Sequence, residues 1–332
     1  MKEPTVTSYD VARQAGVSQS AVSRAFRDGA SVAPATRARI LASAQRLGYQ
    51  PDAIARSLIT RRSGLVAIVI SNLTNLHYPE VLATLTARLS ERGSRVLLFT
   101  LPNESDIDAA LDELWRYRVD GAIFAARLSG AQIGALARRG VATVLYNRWS
   151  EGAAVASVCC DFTAGEAVLI DGLVAGGARA FGIIAGPADS TLGEARVQGA
   201  LARLAAAGID PGTPERGDFS YDAGRAAARR LLEARPLDAI VCANDTLALG
   251  AMDAARIDLG VAVPANLSVV GFDGVAPARW GAYELTTVRQ PVGRMAAAAV
   301  AMLMERIADP SVGAERRLFS GDLIRGRTAR LA

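Results

Sequence analysis

The sequence predicts a small all-α head with helix-turn-helix spacing, followed by a two-lobed α/β body built on parallel sheets. Three observations carry that expectation. Residues 1–62 hold ten basic against four acidic side chains, net +6, and the remainder holds 27 bases and 29 acids. The overall +4 is therefore a basic head, suited to a polyanion, on a near-neutral body. Within the head, Ala12, Gly16 and Val22 stand where a helix-turn-helix needs a small contact residue, a turn residue tolerant of positive φ and an apolar anchor. After Gly64, short β-branched runs alternate with longer amphipathic stretches, the pattern of parallel strands covered on both faces.

Four helical stretches fit the head. Thr7 or Ser8 caps the first, which turns Val11, Ala12 and Ala15 inward. Ala15-Gly16-Val17 is a turn, and Ser18 caps a second helix that runs to Phe26 and buries Ala21, Val22 and Ala25. Pro34 suits the first turn of a third, with Ile40, Ala44 and Leu47 inward and Gly48 as its stop. Pro51 opens a short basic segment, 52–62. The second helix exposes Ser18, Gln19, Ser20, Ser23 and Arg24. Gln presents a bidentate edge suited to adenine, and Ser and Arg serve bases or phosphates. An ordinary helical bundle shares the small-residue spacing but leaves the charge unexplained.

In the body, strands are expected over 65–71, 95–100, 121–125, 141–146, 155–160, 181–185, 239–243 and 267–271. Helices are expected over 79–92, 107–117, 194–207, 221–234, 245–256 and 292–307. So many units exceed one compact sheet, so two lobes are expected. Polar residues cluster at the carboxyl ends of these strands: Ser71-Asn72, Asn147-Arg148, Asp161, Asn244-Asp245 and Asp273. Ligands of open α/β sheets bind at such ends, and two facing lobes make these one cleft.

Composition narrows the class. With 332 residues, 51% hydrophobic and 21% charged, a sizeable core is available. The three cysteines, Cys159, Cys160 and Cys242, have no metal-ligand or redox spacing, and an odd count argues against a disulfide framework. The polar start lacks the apolar core of a secretory signal, and no long apolar run suggests a membrane span, so a cytoplasmic setting is expected. Gly176-Gly177 and the glycines from Gly182 to Gly186 match neither a P-loop nor a dinucleotide fingerprint. No zinc spacing, His-carboxylate cluster or nucleophile elbow is evident, so no catalytic residue, metal or cofactor is expected. A transport receptor would share the body but lack the basic head.

The run Val6-Thr7-Ser8-Tyr9-Asp10-Val11-Ala12-Arg13-Gln14-Ala15-Gly16-Val17-Ser18, continued by Ala21-Val22-Ser23-Arg24, resembles the start of the lactose-repressor (LacI) family of bacterial transcription regulators. Leu47-Gly48-Tyr49-Gln50-Pro51-Asp52-Ala53-Ile54-Ala55-Arg56-Ser57-Leu58 resembles that family's hinge segment. The similarity continues through Gly186-Pro187, Val241-Cys242-Ala243-Asn244-Asp245 and Val269-Val270-Gly271-Phe272-Asp273. It implies a helix-turn-helix domain over 1–50, a hinge over 51–63 and an effector-binding, dimerising body over 64–332 that is periplasmic-binding-protein-like. Lobe 1 would take about 64–160 plus 291–320, and lobe 2 about 161–290 plus 321–332.

On DNA, the resemblance implies that Gln19 and Ser20 read the major groove while Ser18, Ser23 and Arg24 hold the backbone or neighbouring bases. Ser8 and Tyr9 join that interface. Residues 52–60 would fold into a helix on a pseudo-palindromic operator, paired with that of a second subunit, with Leu58 wedged into a minor-groove step beside Ala55 and Arg56. Without the resemblance, Leu58 reads as a buried leucine. Asp52 stands where the family pattern has Asn; it caps the hinge helix but repels a nearby phosphate.

In the cleft, matching positions nominate Arg196, Asn147, Asp273, Phe219, Asn244 and Gln290, with Asn72, Asn75, His77 and Tyr78 from the first loop and Arg148 and Asp161 alongside. Carboxylate and guanidinium groups suit vicinal hydroxyls, and an aromatic ring stacks on a sugar face, so a sugar-like effector is expected; Arg127 and Arg148 leave room for a phosphorylated sugar, and a nucleoside or another polar metabolite stays open. Bland readings stand beside these. Asn244-Asp245 serves equally as a helix cap, Arg148 as a solvated or lobe-bridging charge, His77 as a loop contact and Trp280 as packing. The run Asp161-Phe162-Thr163-Ala164-Gly165-Glu166 departs from the family's Asp-Asn and paired glycines. The expected mechanism is repression relieved by ligand through a population shift, a co-repressor being the opposite sign of the same machine. Helix 79–92 is a candidate dimer face, and with no leucine heptad tail a homodimer is expected over a tail-linked tetramer.

Overall fold

Among the described residues three helices make the head: α1 (Ser8–Ala15), α2 (Gln19–Ala25) and α3 (Pro34–Leu47). The structure is a computed structural model describing residues 6–26, 31–50, 62–73, 75–102 and 106–332. Thr7 and Asp10 form a reciprocal capping box on α1, which ends at Gly16 with φ 63° and ψ 42°. That left-handed corner suits glycine and turns the chain into α2. Val11, Ala12 and Ala15 of α1 meet Val22 and Ala25 of α2 and Ile40 and Ala44 of α3 in one small core. Small residues at the crossing let the first two helices approach closely. Phe26 and Tyr49 close its edge, ring centroids 5.9 Å apart in an edge-to-face arrangement.

The chain forms two compact units, Met1–Ser63 and Gly64–Ala332. The second carries two six-stranded sheets. The first sheet contains β1 (Leu65–Ser71), β2 (Arg95–Leu101), β3 (Gly121–Ala125), β4 (Ala142–Tyr146), β5 (Ala156–Cys160) and β11 (Arg316–Phe319), in the order β11-β5-β4-β3-β1-β2 and all parallel. The second contains β6 (Phe181–Ala185), β7 (Glu215–Arg216), β8 (Ala239–Cys242), β9 (Ser268–Asp273), β10 (Thr286–Arg289) and β12 (Asp322–Ile324). Its order is β12-β10-β9-β8-β6-β7, with only β12 antiparallel. Central strands such as β3, β6 and β9 are buried throughout, as strands covered on both faces must be.

Helices α4 (His77–Glu91), α5 (Ile107–Leu114), α6 (Gly130–Arg138) and α11 (Val292–Ala308) accompany the first sheet. Helices α7 (Phe162–Ala175), α8 (Thr191–Ala206), α9 (Tyr221–Ala234) and α10 (Asp245–Asp253) accompany the second. The chain passes between the sheets three times: at Asp161, at Gln290-Pro291 and at Ser320-Gly321. Two of the nominated cleft residues, Asp161 and Gln290, thus sit on crossing segments.

Several elements escaped the sequence pattern for physical reasons. α7 is apolar nearly all round and interrupted by Gly165 and Gly172, so it shows little amphipathic contrast. β10 is only four residues and buries Thr286 and Thr287, which do not read as core. β11 and β12 are short and half-exposed, and their pairing is set by distant strands. α10 stops at Asp253 and widens into a π-helical turn, Ala254–Asp258, rather than continuing as regular helix to 256. Trp280, read as packing, is 59% exposed.

Candidate nucleic-acid interface and interlobe site

The helix-turn-helix core decides which side chains of α2 remain outside. With Val22 and Ala25 turned inward, Ser18, Ser20 and Arg24 are exposed, and Gln19 and Ser23 are half-buried. Ser18 also caps α2, its hydroxyl accepting from the Ala21 amide at 3.3 Å. The Ser18 and Ser20 hydroxyls lie 3.0 Å apart. Gln19 Nε2 donates to the Ser8 hydroxyl at 3.3 Å, so the start of α1 holds the carboxamide and leaves its oxygen for another donor. Tyr9 is 68% exposed. Seven of the nominated DNA contacts therefore lie on α1, α2 and the turn before α2. Ala55, Arg56 and Leu58, with Asp52, lie outside the described residues.

In the body, the nominated residues meet at the carboxyl ends of strands. Asn72, Asn147, Phe219 and Asp273 have φ of 55°, 52°, 66° and 120°. Such backbone is disfavoured for any residue but glycine and concentrates at sites where side-chain placement matters. A buried hydrogen-bonded relay joins the two sheets. Arg196 Nη2 donates to Asp273 Oδ1 at 2.7 Å, and its Nη1 donates to the Ala243 carbonyl at 2.6 Å. Gln290 Nε2 donates to the same Asp273 oxygen at 2.7 Å, and Asn147 Nδ2 donates to Gln290 Oε1 at 2.7 Å. Asn147 Oδ1 in turn accepts from the Cys160 amide at 2.9 Å. The relay runs from α8 through β9 and the second crossing to the ends of β4 and β5.

Around it are polar atoms with no hydrogen-bond partner among the described residues: Arg196 Nε, His77 Nε2, Asn244 Nδ2, Tyr146 Oη and Glu166 Oε2, all on buried side chains. Desolvation lowers the pKa of His77; Asp273 opposes that shift and Arg196 reinforces it. Burial pushes the Glu166 carboxyl up to about 8, tempered by Arg196. The Arg196 guanidinium lies 4.4 Å from the Phe272 ring centroid and 5.0 Å from that of Phe162, so two apolar faces hold it.

Other nominated residues have mixed roles. Asn75 Oδ1 accepts from the His77 amide at 3.0 Å, shaping the first loop, and the Tyr78 ring packs 5.8 Å from His77. Asn72 is half-buried beside them. Asp161 caps α7 through the Ala164 amide at 3.0 Å, and Asn244 caps α10 through the Leu247 amide at 2.8 Å. Asp245 accepts from the Thr287 hydroxyl and the Val275 amide, and burial pushes it up to about 8, so it ties the second lobe together. The Phe219 ring lies on Gly186 and Gly193, where a Cβ would come within 2.1 Å and 2.8 Å of it. Arg148 is 2% exposed, not solvated, and its Nη1 donates to the Asn147 carbonyl at 3.0 Å.

A cavity of about 860 Å³ opens between the lobes, with Arg148, Trp149 and Glu151 on one side and Asp189, Thr191 and Gln198 on the other. Of the nominated residues only Arg148 lines it. Sequence reasoning missed Trp149, Tyr146, Phe162 and Phe272 as members of this region, and marked Glu166 only as a departure from the family pattern. The available signals were Phe162 and Glu166 one helical turn apart and Phe272 beside Asp273.

A family model for bacterial regulatory proteins of the lacI family matches residues 7–52, and one for a periplasmic binding protein-like domain matches residues 170–329. An uncharacterised HTH-type transcriptional regulator in the aml 5′ region of Streptomyces limosus is 34% identical, with 96% of this chain and 93% of that protein covered. The chain belongs to the lacI family. This lacI-family protein is a DNA-binding transcription regulator and not an enzyme. Its fold matches the lac repressor dimer bound to operator and the anti-inducer ONPF at a TM-score of 0.89 and 27% identity, covering 98% of this chain and 99% of the other. It matches the CelR–cellobiose complex at 0.72 and 30% identity, covering 97% and 99%. Among the described residues no helix is long and apolar enough to cross a membrane, and no cluster of three or more His, Cys, Asp or Glu groups is arranged to hold a metal ion.

Proposed function

We propose that this lacI-family regulator is a cytoplasmic homodimeric repressor of carbohydrate-utilisation genes, released from a pseudo-palindromic operator when a sugar-like effector enters the interlobe cleft. The observation that carries the reading is the buried relay from Arg196 through Asp273 and Gln290 to Asn147, which joins both lobes through groups suited to hydroxyls. A hydroxylated ligand that engages Asp273 or Asn147 competes with this relay, so binding shifts how the lobes are held. Relatives support the chemistry: a solved CelR structure holds cellobiose, and one of the lac repressor holds ONPG.

In this reading Gln19 and Ser20 contact bases, and Ser8, Tyr9, Ser18, Ser23 and Arg24 support them on the backbone or at neighbouring bases. Ala55, Arg56 and Leu58 complete the contact from a hinge over 51–63 that follows a reading domain over 1–50. Asn72, Asn75, His77, Tyr78, Arg148, Asp161, Phe219 and Asn244 frame the effector with the relay. The dimer pairs through the body, with α4 and the neighbouring edge strand β2 as its face, where Leu76 and Leu98 stand 39% and 42% exposed.

The test is selection of an operator from random duplex DNA with the full-length protein, followed by a screen of sugars for release. A pseudo-palindrome released by at least one sugar is expected. Selection of a non-palindromic site, or an operator complex that no sugar alters, overturns the corresponding half of the proposal.

A further inference from the structure

We infer that Ser8 is a positioning residue for base recognition: its hydroxyl takes one N–H of Gln19 and thereby fits that carboxamide to adenine and against guanine. This rests on the reading above in which Gln19 contacts a base. Gln19 Nε2 donates to Ser8 Oγ at 3.3 Å, from the start of α2 back to the start of α1. A carboxamide has two N–H bonds and one oxygen, so Gln19 keeps one donor and one acceptor for DNA. In the major groove adenine offers the matching pair, the N7 acceptor and the N6 amino donor. Guanine offers two acceptors, N7 and O6, and calls for the second donor that Ser8 has taken. Cytosine and thymine each present a single polar group there, so neither is gripped twice.

Both ends of this contact are held. Ser8 is the first residue of α1, directly after the Thr7 cap. The Thr7 amide and hydroxyl both donate to Asp10 Oδ2, at 3.0 Å and 2.6 Å, which pins the backbone there. Gln19 is the first residue of α2, directly after the Ser18 cap. The shared core of Val11, Ala12, Ala15, Val22 and Ala25 locks the two helices together, so their starts keep one spacing. Ser8 and Gln19 are each half-buried, while their neighbours Tyr9 and Ser20 are exposed. A free glutamine side chain must be ordered as it binds; this one is ordered beforehand, with its remaining donor and acceptor left for the groove.

Binding of the full-length protein to the duplex it selects from random DNA tests this. Gln19→Ala first marks the position that Gln19 reads, and the four base pairs are then compared at that position. The wild type should bind the better-oriented A·T pair about fivefold or more tighter than either G·C orientation. Ser8→Ala should cut that ratio by about threefold or more and leave preferences elsewhere unchanged, while Ser8→Thr, which keeps the hydroxyl, should preserve it. In a Gln19→Ala background, Ser8→Ala should add nothing to the ratio. Alanine suits a helix, so the variant head should fold, and a circular dichroism melt checks it. A wild-type preference for a G·C pair overturns the inference, because Gln19 then presents both N–H bonds. An unchanged ratio in Ser8→Ala, or a lost one in Ser8→Thr, also overturns it. So does equal weakening on all four base pairs, which makes Ser8 a DNA contact in its own right. If Gln19→Ala alters no position's preference, the base-reading role of Gln19 fails, and the inference with it.

Discussion

Arg196 and Asp273 are each 1% exposed and paired at 2.7 Å, which makes their chemistry structural as well as recognitive. Taking one partner away leaves the other charge buried and uncompensated, a loss of about 3–5 kcal/mol. Asp273→Ala should therefore lower the stability of the body by that amount in a urea melt, and the double variant with Arg196→Met should recover part of it. An effector-response assay on Asp273→Ala alone would confuse unfolding with lost recognition. Glu166 poses a different problem. Its carboxyl is buried and pushed up to about 8 from an ordinary 4.5, so the folded protein keeps a proton that the unfolded chain has released. The associated stability is fully present below about 4.5 and is lost as pH rises through about 8. Asp245, pushed up to about 8 by burial and the Asp273 charge, acts in the same direction. Between pH 6.5 and 8, melting temperature should fall as pH rises, and Glu166→Gln should flatten part of that slope. An unchanged slope would mean that Glu166 is ionised and solvated in the folded protein.

At the scale of elements, α2 does two jobs with one heptapeptide. Its inward residues, Val22 and Ala25, lock it to α1 and α3, and this orients Gln19, Ser20 and Arg24 outward. Gln19→Ala should leave the head folded and weaken preference at one operator base position by about 1–3 kcal/mol, measured by binding to single-base operator variants. Uniform weakening across all variants would make Gln19 a backbone contact. These elements were legible because each carries a local signal: a cap at Ser18, a left-handed glycine at Gly16 and an apolar stripe. α7 was not, since Phe162, Gly165, Leu169 and Leu173 are buried while Val168 is exposed, blurring the helical period. β10 was hidden because buried threonines look polar until Thr287 is seen bonded to Asp245.

At the scale of the molecule, the charge division separates tasks. Electrostatic attraction belongs to the basic head, and a near-neutral body avoids competing for polyanions. Operator affinity should fall steeply with salt, and Arg24→Ala should reduce the slope of log affinity against log salt by about 0.9 for each phosphate that Arg24 neutralises. An unaltered slope would mean that Arg24 touches no phosphate.

The sequence by itself determined the helix-turn-helix, the basic head, the strand–helix alternation and the family, because capping, charge and hydrophobic period are local properties of the chain. It also nominated Asn147 and Asp273 as polar residues at the carboxyl ends of strands, and Arg196 and Gln290 through resemblance alone. Only the tertiary structure decided that these four are bonded to one another, because the partners come from α8, β9, a crossing segment and the end of β4. It likewise decided that Asn244 spends its carboxamide oxygen on a helix cap and that Arg148 is buried. Trp149 enters the cleft by the same route, since a cavity wall assembled from two lobes has no signature in either stretch alone.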